Sequence, residues 1–172
     1  MRARSSSSST ASNKASSSKP HVIRSWRIVK AKHAATAFDG EGARILGGRW
    51  NSPGHRAVYT AENAALAALE MLVHLGQMTI LPSYVVISCD FDEKLVTEVR
   101  ELPPNWRAFP APPALQAIGD AWLESARSPV LRVPSAIVTS ESNYLLNPAH
   151  PKFERVVIGK PEKFELDLRL LK

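Results

Sequence analysis

Residues 39–54 read Asp-Gly-Glu-Gly-Ala-Arg-Ile-Leu-Gly-Gly-Arg-Trp-Asn-Ser-Pro-Gly, with five of the chain's eight glycines in sixteen positions. Glycine lacks the Cβ that closes left-handed backbone to other residues. The block therefore reads as an irregular loop with backbone positions that a side chain would obstruct. It is not the dinucleotide-binding fingerprint, because Gly40-Glu-Gly42-Ala-Arg-Ile45 carries Ile where that turn needs a small residue. Before the block, residues 22–29 (VIRSWRIV) are β-rich and read as a first strand, and residues 31–38 as a short helix.

After the block, Arg56–Tyr59 reads as a short strand. Thr60 reads as an N-cap, with Glu62 in the first turn of a helix from Ala61 to about Leu75 that stops at Gly76. Ser83–Phe91 is the clearest strand, and Leu95–Val99 continues sheet structure. Residues 101–113 hold five of the 13 prolines and form a loop. Pro113 suits the first turn of a helix over Ala114–Ala126, whose apolar stripe is Leu115, Ile118, Trp122 and Leu123. Ser135–Thr139, Arg155–Ile158 and Phe164–Leu170 read as strands, the last alternating apolar and charged residues. Six or seven strands and two or three helices in this irregular order predict a mixed α+β domain, not a doubly wound parallel sheet.

Composition narrows the function. The first 20 residues contain nine Ser, four basic residues and no acid or aromatic. Such a segment cannot bury enough apolar surface to offset its ordering entropy, so residues 1–20 are expected to form a disordered extension and 21–172 a single domain. Net charge is +6, but Arg2, Arg4, Lys14 and Lys19 carry +4 of it, so direct DNA binding is not expected of the domain. One cysteine, Cys89, excludes an internal disulfide framework and fits a reducing cytoplasm. The five histidines lack metal-ligand spacing, and no bound metal is expected. No apolar run approaches the ~20 residues of a membrane-spanning helix.

Three stretches carry candidate chemistry. In Gly47-Gly48-Arg49-Trp50-Asn51-Ser52-Pro53-Gly54, an Arg flanked by glycines can present its planar fork to a phosphate or carboxylate; a tight turn with a solvated Arg is the plainer alternative. Glu70 has helical neighbours Leu66, Ala67, Val73 and His74. A carboxylate within such a stripe is paired, functional, or at its solvent edge. Residues 133–151 run Val-Pro-Ser-Ala-Ile-Val-Thr-Ser-Glu-Ser-Asn-Tyr-Leu-Leu-Asn-Pro-Ala-His-Pro, a strand followed by a loop dense in hydrogen-bonding side chains. Asn143 and Asn147 read there as turn caps.

Taken together these stretches resemble the RES domain family of bacterial toxins, named for its Arg, Glu and Ser. The resemblance runs from about Trp26 to Ile158. It rests on the Gly-Gly-Arg-Trp-Asn-Ser-Pro-Gly block, Val58-Tyr59-Thr60, Leu66-Ala-Ala-Leu-Glu70, and Pro134-Ser135 leading to Asn143-Tyr-Leu-Leu-Asn-Pro-Ala-His-Pro, in this order and spacing. It implies a twisted, split mixed sheet with flanking helices, akin to ADP-ribosyltransferase toxins, and NAD as substrate. It also implies a cognate Xre-like antitoxin that occludes the active site. The reaction implied is cleavage of the nicotinamide–ribose bond with water or phosphate as acceptor, or transfer of ADP-ribose to a protein.

Carried over by position, the resemblance makes Arg49, Glu70 and Ser135 the catalytic set. Arg27, Arg49, Tyr59 and, more weakly, Asn147 become NAD-binding residues. The chemistry is consistent with these roles. Guanidinium groups suit a pyrophosphate, an aromatic ring can stack on a cationic nicotinamide, and a carboxylate stabilises the oxocarbenium-like centre that forms when the glycosidic bond breaks. Ser135 would orient ribose or nicotinamide, and Arg27 would bind phosphate were it the acceptor.

Overall fold

A computed structural model describes residues 21–75 and 83–171. The tail at residues 1–20 and the helix stop at Gly76 lie outside the described residues. The sheet is mixed and, among the described residues, has eight strands: β1 (Val22–Lys30), β2 (Val58–Ala61), β3 (Tyr84–Asp92), β4 (Val96–Glu98), β5 (Val130–Pro134), β6 (Ser142–Leu146), β7 (Val157–Ile158) and β8 (Glu162–Phe164). They run in the order β4-β5-β6-β2-β1-β3-β7, with β8 also on β3. All pairs are antiparallel except β4 with β5. Among the described residues three α-helices accompany the sheet: α1 (Glu41–Leu46), α2 (Ala64–Leu75) and α3 (Pro113–Ser125). The α+β class and the split, twisted sheet are as expected.

The split lies in the middle of the sheet. β1 pairs with β3 along its whole length, from Val22–Asp92 to Lys30–Tyr84, but meets β2 only at Trp26–Ala61. On one face, Ala61, Leu66 and Ala67 pack with Trp26 and Ile28 beneath α2. Beside them Leu131, Val133 and Leu145 pack against Leu115 and Trp122 of α3 and against Trp50. The other face holds Val58, Ile87, Phe91, Val130, Tyr144 and Leu146. There the rings of Phe91 and Tyr144 meet edge to face at 5.4 Å. Alternation along the strands sorts the two faces, since successive residues point to opposite sides.

Several boundaries differ from the sequence expectation for local reasons. Thr60 is not a helix cap. It lies in β2, where its buried hydroxyl donates to the Tyr144 carbonyl at 3.1 Å. Asn63 caps α2 instead, its Oδ1 accepting from the Leu66 amide at 2.8 Å. Glu62 accepts from the Ser142 amide rather than serving the helix. The glycine block contains a helix: α1 is bracketed by Gly40 and Gly47 at φ 74° and 70°, which let the chain enter and leave.

The strand expected at Ser135–Thr139 lies at Val130–Pro134, because the Ser135 hydroxyl accepts from the amides of Ile137 and Val138 and curls the chain out of the sheet. The loop expected after it contains β6, whose pattern alternates Asn143 and Leu145 with Tyr144 and Leu146. Residues 31–36 form a 3-10 turn, as do Pro151–Arg155, which leaves only Val157–Ile158 in a strand. The alternation over Phe164–Leu170 is not a strand: β8 ends at Phe164, and Leu168–Leu171 turn as a 3-10 helix after an Asp167–Arg169 ion pair.

Candidate active site

Glu70 sits in α2 on the turn after Leu66 and Ala67, which are buried on the sheet. The carboxylate is half-buried at the edge of the apolar stripe, whose next members Val73 and His74 are exposed. One oxygen, Oε1, accepts from the Ser135 hydroxyl at 3.0 Å and from Asn143 Nδ2 at 2.6 Å. Ser135 is wholly buried and its hydroxyl also accepts from two amides, so its proton points at Glu70. Both bonds engage the same oxygen. Among the described residues Oε2 takes no hydrogen bond and is free to accept one from a ligand.

Asn143 is not a turn cap. It stands near the start of β6, opposite Ala61 of β2 and Val133 of β5. With Nδ2 on Glu70, its buried Oδ1 has no partner among the described residues. A buried amide oxygen left without a donor is costly and marks a place for a ligand's N–H or O–H. The sequence clue was present, since Asn143 falls within a strand-like alternation, but Asn's turn preference masked it.

Tyr59 lies two residues before Ala61 on the same face of β2 and reaches the glycine block. Its hydroxyl donates to Asn51 Oδ1 at 2.7 Å and accepts from the Trp50 amide at 3.0 Å. Burial pushes the phenol well above its ordinary range. The hydroxyl is thus occupied in holding the loop, and only the ring remains for a ligand. Asn51, 0% exposed, donates to the carbonyls of Ala43, Ser52 and His55. Gly48–Asn51 form a tight turn closed by a 2.8 Å backbone bond, with Arg49 at its tip. Arg49 Nη1 donates to the carbonyls of Trp106 and Ala108 in the proline-rich loop, at 2.9 and 3.3 Å. Tyr59 and Ala61, successive on one face of β2, lead to the Arg49 turn and, through Asn143 opposite Ala61, to Glu70, and no hydrogen bond among the described residues joins Arg49 to Glu70.

Arg27 enters differently. The register puts it with Ile87, on the face opposite Trp26. Its Nη1 donates to the Tyr59 carbonyl at 2.7 Å, across the gap where β1 and β2 part. That carbonyl would bond a strand amide if the sheet were continuous. Burial lowers the guanidinium's pKa from its ordinary value, against weaker pulls from Asp39 and Cys89. Arg27 Nε is buried with no acceptor among the described residues. A half-buried guanidinium whose Nε is enclosed and has so few acceptors suits an anion.

Asn147 is placed elsewhere. Its Nδ2 donates to the Leu123 carbonyl at 3.3 Å and its Oδ1 accepts from the Ala149 amide at 3.0 Å. It lines a shallow cavity of about 470 Å³ with Arg44, His55, Arg56 and Glu124. No hydrogen bond among the described residues joins it to Glu70, Ser135 or Arg49. No group of three or more metal-binding side chains occurs among the described residues. No helix there is long and apolar enough to cross a membrane.

A family model of the RES domain matches residues 24–167. A protein of Yersinia enterocolitica named Toxin Res is 38% identical over 148 residues, covering 84% of this chain and 97% of its own length. A Sphingobium protein named Prs ADP-ribosylating toxin is 35% identical over 154 residues, covering 86% and 96%. The fold matches a chain of the Mycobacterium tuberculosis MbcT–MbcA toxin–antitoxin complex at a TM-score of 0.69 and 18% identity, over 84% of this chain and 85% of that one.

Proposed function

The chain belongs to the RES domain family, and from that premise we propose that it is the toxin of a toxin–antitoxin pair that consumes NAD by breaking the nicotinamide–ribose bond. The observation that carries this reading is the carboxylate of Glu70, fixed through one oxygen by Ser135 and Asn143 and open at the other.

In this reading NAD is the substrate, lying over the split between β1 and β2. Its pyrophosphate meets Arg49 at the tip of its turn, while Arg27, based on the opposite face, can reach it only through the gap, where its Nε has no acceptor among the described residues. Glu70 Oε2 accepts a ribose hydroxyl and its negative charge faces the positive charge that develops at the anomeric carbon. The bonding pair leaves with nicotinamide, whose ring becomes neutral. Asn143 Oδ1 is placed to accept from ribose or from the carboxamide. Ser135 acts by holding Glu70, not by touching substrate. Water or inorganic phosphate then takes the anomeric carbon, which depletes NAD and arrests growth. A cognate antitoxin of the Xre-like type restrains the enzyme by covering this cleft. The match to one chain of a toxin–antitoxin complex supports a protein partner.

A second reading uses the same cleft with a protein side chain as acceptor. The relative named as an ADP-ribosylating toxin favours it. Labelled NAD separates the two. Free ADP-ribose, or its phosphate when phosphate is added, supports degradation; label on a protein band supports transfer. Purified Glu70→Gln and Arg49→Ala should each lose nicotinamide release while keeping the wild-type circular dichroism spectrum. Unchanged turnover in either variant removes the assignment.

A further inference from the structure

α3 has two working faces. Leu115 and Trp122 pack into the sheet core. A second stripe at helical spacing, Gln116, Gly119, Asp120 and Glu124, meets residues 48–55. Gln116 Nε2 donates to the Gly48 carbonyl at 3.0 Å and to the Asn51 carbonyl at 3.3 Å, which bracket Arg49 in sequence. Asp120 Oδ1 accepts from the Ser52 amide at 2.9 Å and lies 3.3 Å from His55 Nδ1, while Glu124 meets His55 Nε2 at 3.1 Å. Between them Gly119 admits the chain so closely that an added Cβ would lie 1.6 Å from the Trp50 carbonyl oxygen. Tyr59 holds the Trp50 amide from the sheet side. The backbone carrying Arg49 is thus gripped from both sides, by Tyr59 of β2 and by side chains of α3.

We propose that Gln116 and Asp120 are positioning residues that set the register of the Arg49 turn on α3, and through it the affinity for the anionic part of the substrate. The proposal rests on the NAD-consuming reading. A planar guanidinium binds a phosphate through two parallel bonds only when its base is held, whereas a lysine ammonium is a flexible point charge with no such requirement. Loss of the grip therefore weakens binding through Arg49 and leaves the bond-breaking step at Glu70 intact, the pattern of a raised KM at unchanged kcat.

The test is a kinetic cycle with NAD as the varied substrate. Gln116→Leu should raise KM about tenfold, as loss of one or two neutral hydrogen bonds does, with kcat within twofold of wild type. In an Arg49→Lys background the same change should move KM by less than twofold. Asp120→Asn keeps an oxygen for the Ser52 amide and should match wild type, whereas Asp120→Ala should behave like Gln116→Leu. Equal KM effects in the wild-type and Arg49→Lys backgrounds, a fall in kcat at constant KM, or no effect would each overturn the proposal. Hydrogen exchange at the Gly48, Trp50 and Ser52 amides provides a second reading that needs no turnover. Gln116→Leu and Asp120→Ala should speed these at least tenfold while β3 amides stay unchanged, and unaltered exchange also overturns the proposal. Wild-type protein that releases no nicotinamide defeats the NAD reading. The exchange result then decides alone whether α3 holds the turn.

Discussion

Ser135→Ala separates a residue that positions Glu70 from one that acts on substrate. The substitution removes one O–H donated to Glu70 Oε1 at 3.0 Å and one acceptor used by the Ile137 and Val138 amides, both at 3.1 Å. A hydrogen bond to a charged group is worth about 1.5–3 kcal/mol. If all of it is felt in the transition state, kcat/KM falls roughly 10- to 150-fold. Asn143 still holds the same oxygen at 2.6 Å, so the carboxylate stays near its place and the loss should fall at the lower end, about 10- to 30-fold. The two amides turn to solvent or to weaker partners, which costs about 1–2 kcal/mol and lowers Tm by roughly 2–8 °C. Nicotinamide release followed by chromatography, together with a thermal melt, measures both. Removal of a nucleophile would instead cost on the order of a millionfold. A loss beyond about ten-thousandfold therefore refutes the positioning role, since hydroxyl chemistry on substrate would be required. Turnover within twofold at unchanged Tm refutes it from the other side.

Asn51→Ala should lower Tm by roughly 6–12 °C. It abandons three carbonyls and the Tyr59 hydroxyl in a fully buried position, about 3 kcal/mol of hydrogen bonding; a shift under about 3 °C in a calorimetric scan contradicts the assigned network. Cys89, 0% exposed, has its thiol pushed up to about 11 by burial. It should resist a disulfide reagent at pH 8 until urea unfolds the chain. The unfolded thiol ionises near 9.0 and the folded one near 11, so its stabilising share is present below pH 9 and is lost as pH rises toward 11. Urea midpoints of wild type and Cys89→Ala should therefore converge or cross over that window, and a constant difference from pH 8 to 11 would count against the burial effect.

Much of the site was legible before any coordinates. The 3.6-residue period put Glu70 on a helix beside Leu66 and Ala67 but left open whether it is paired or at the stripe's solvent edge; the structure finds it half-buried and paired. The two runs around Val22 and Tyr84 became the longest strands, since β-branched residues suit a pleated, half-buried surface. Boundaries failed where a side chain competes with the backbone. The Ser135 hydroxyl captures two amides and ends β5 early, and Asn63, not Thr60, caps α2 because Thr60 is held in the sheet by Tyr144. Neither outcome has a local signature, as both depend on what the sheet places nearby.

Composition and periodicity alone determined an α+β domain, placed Arg49 in a glycine-rich turn and put Glu70 on a helix beside Leu66 and Ala67, because those follow from short-range sterics and from the spacing of apolar residues. Only the tertiary structure decided what each polar group faces. Asn143 became a partner of Glu70 rather than a cap because β6 pairs between β5 and β2 and carries it beneath α2. Tyr59 and α3 grip the Arg49 turn from both sides, and Arg27 occupies the gap where β1 leaves β2. These are contacts between residues separated by 9 to 73 positions. Their geometry is set by strand register and helix docking, which no window of sequence contains.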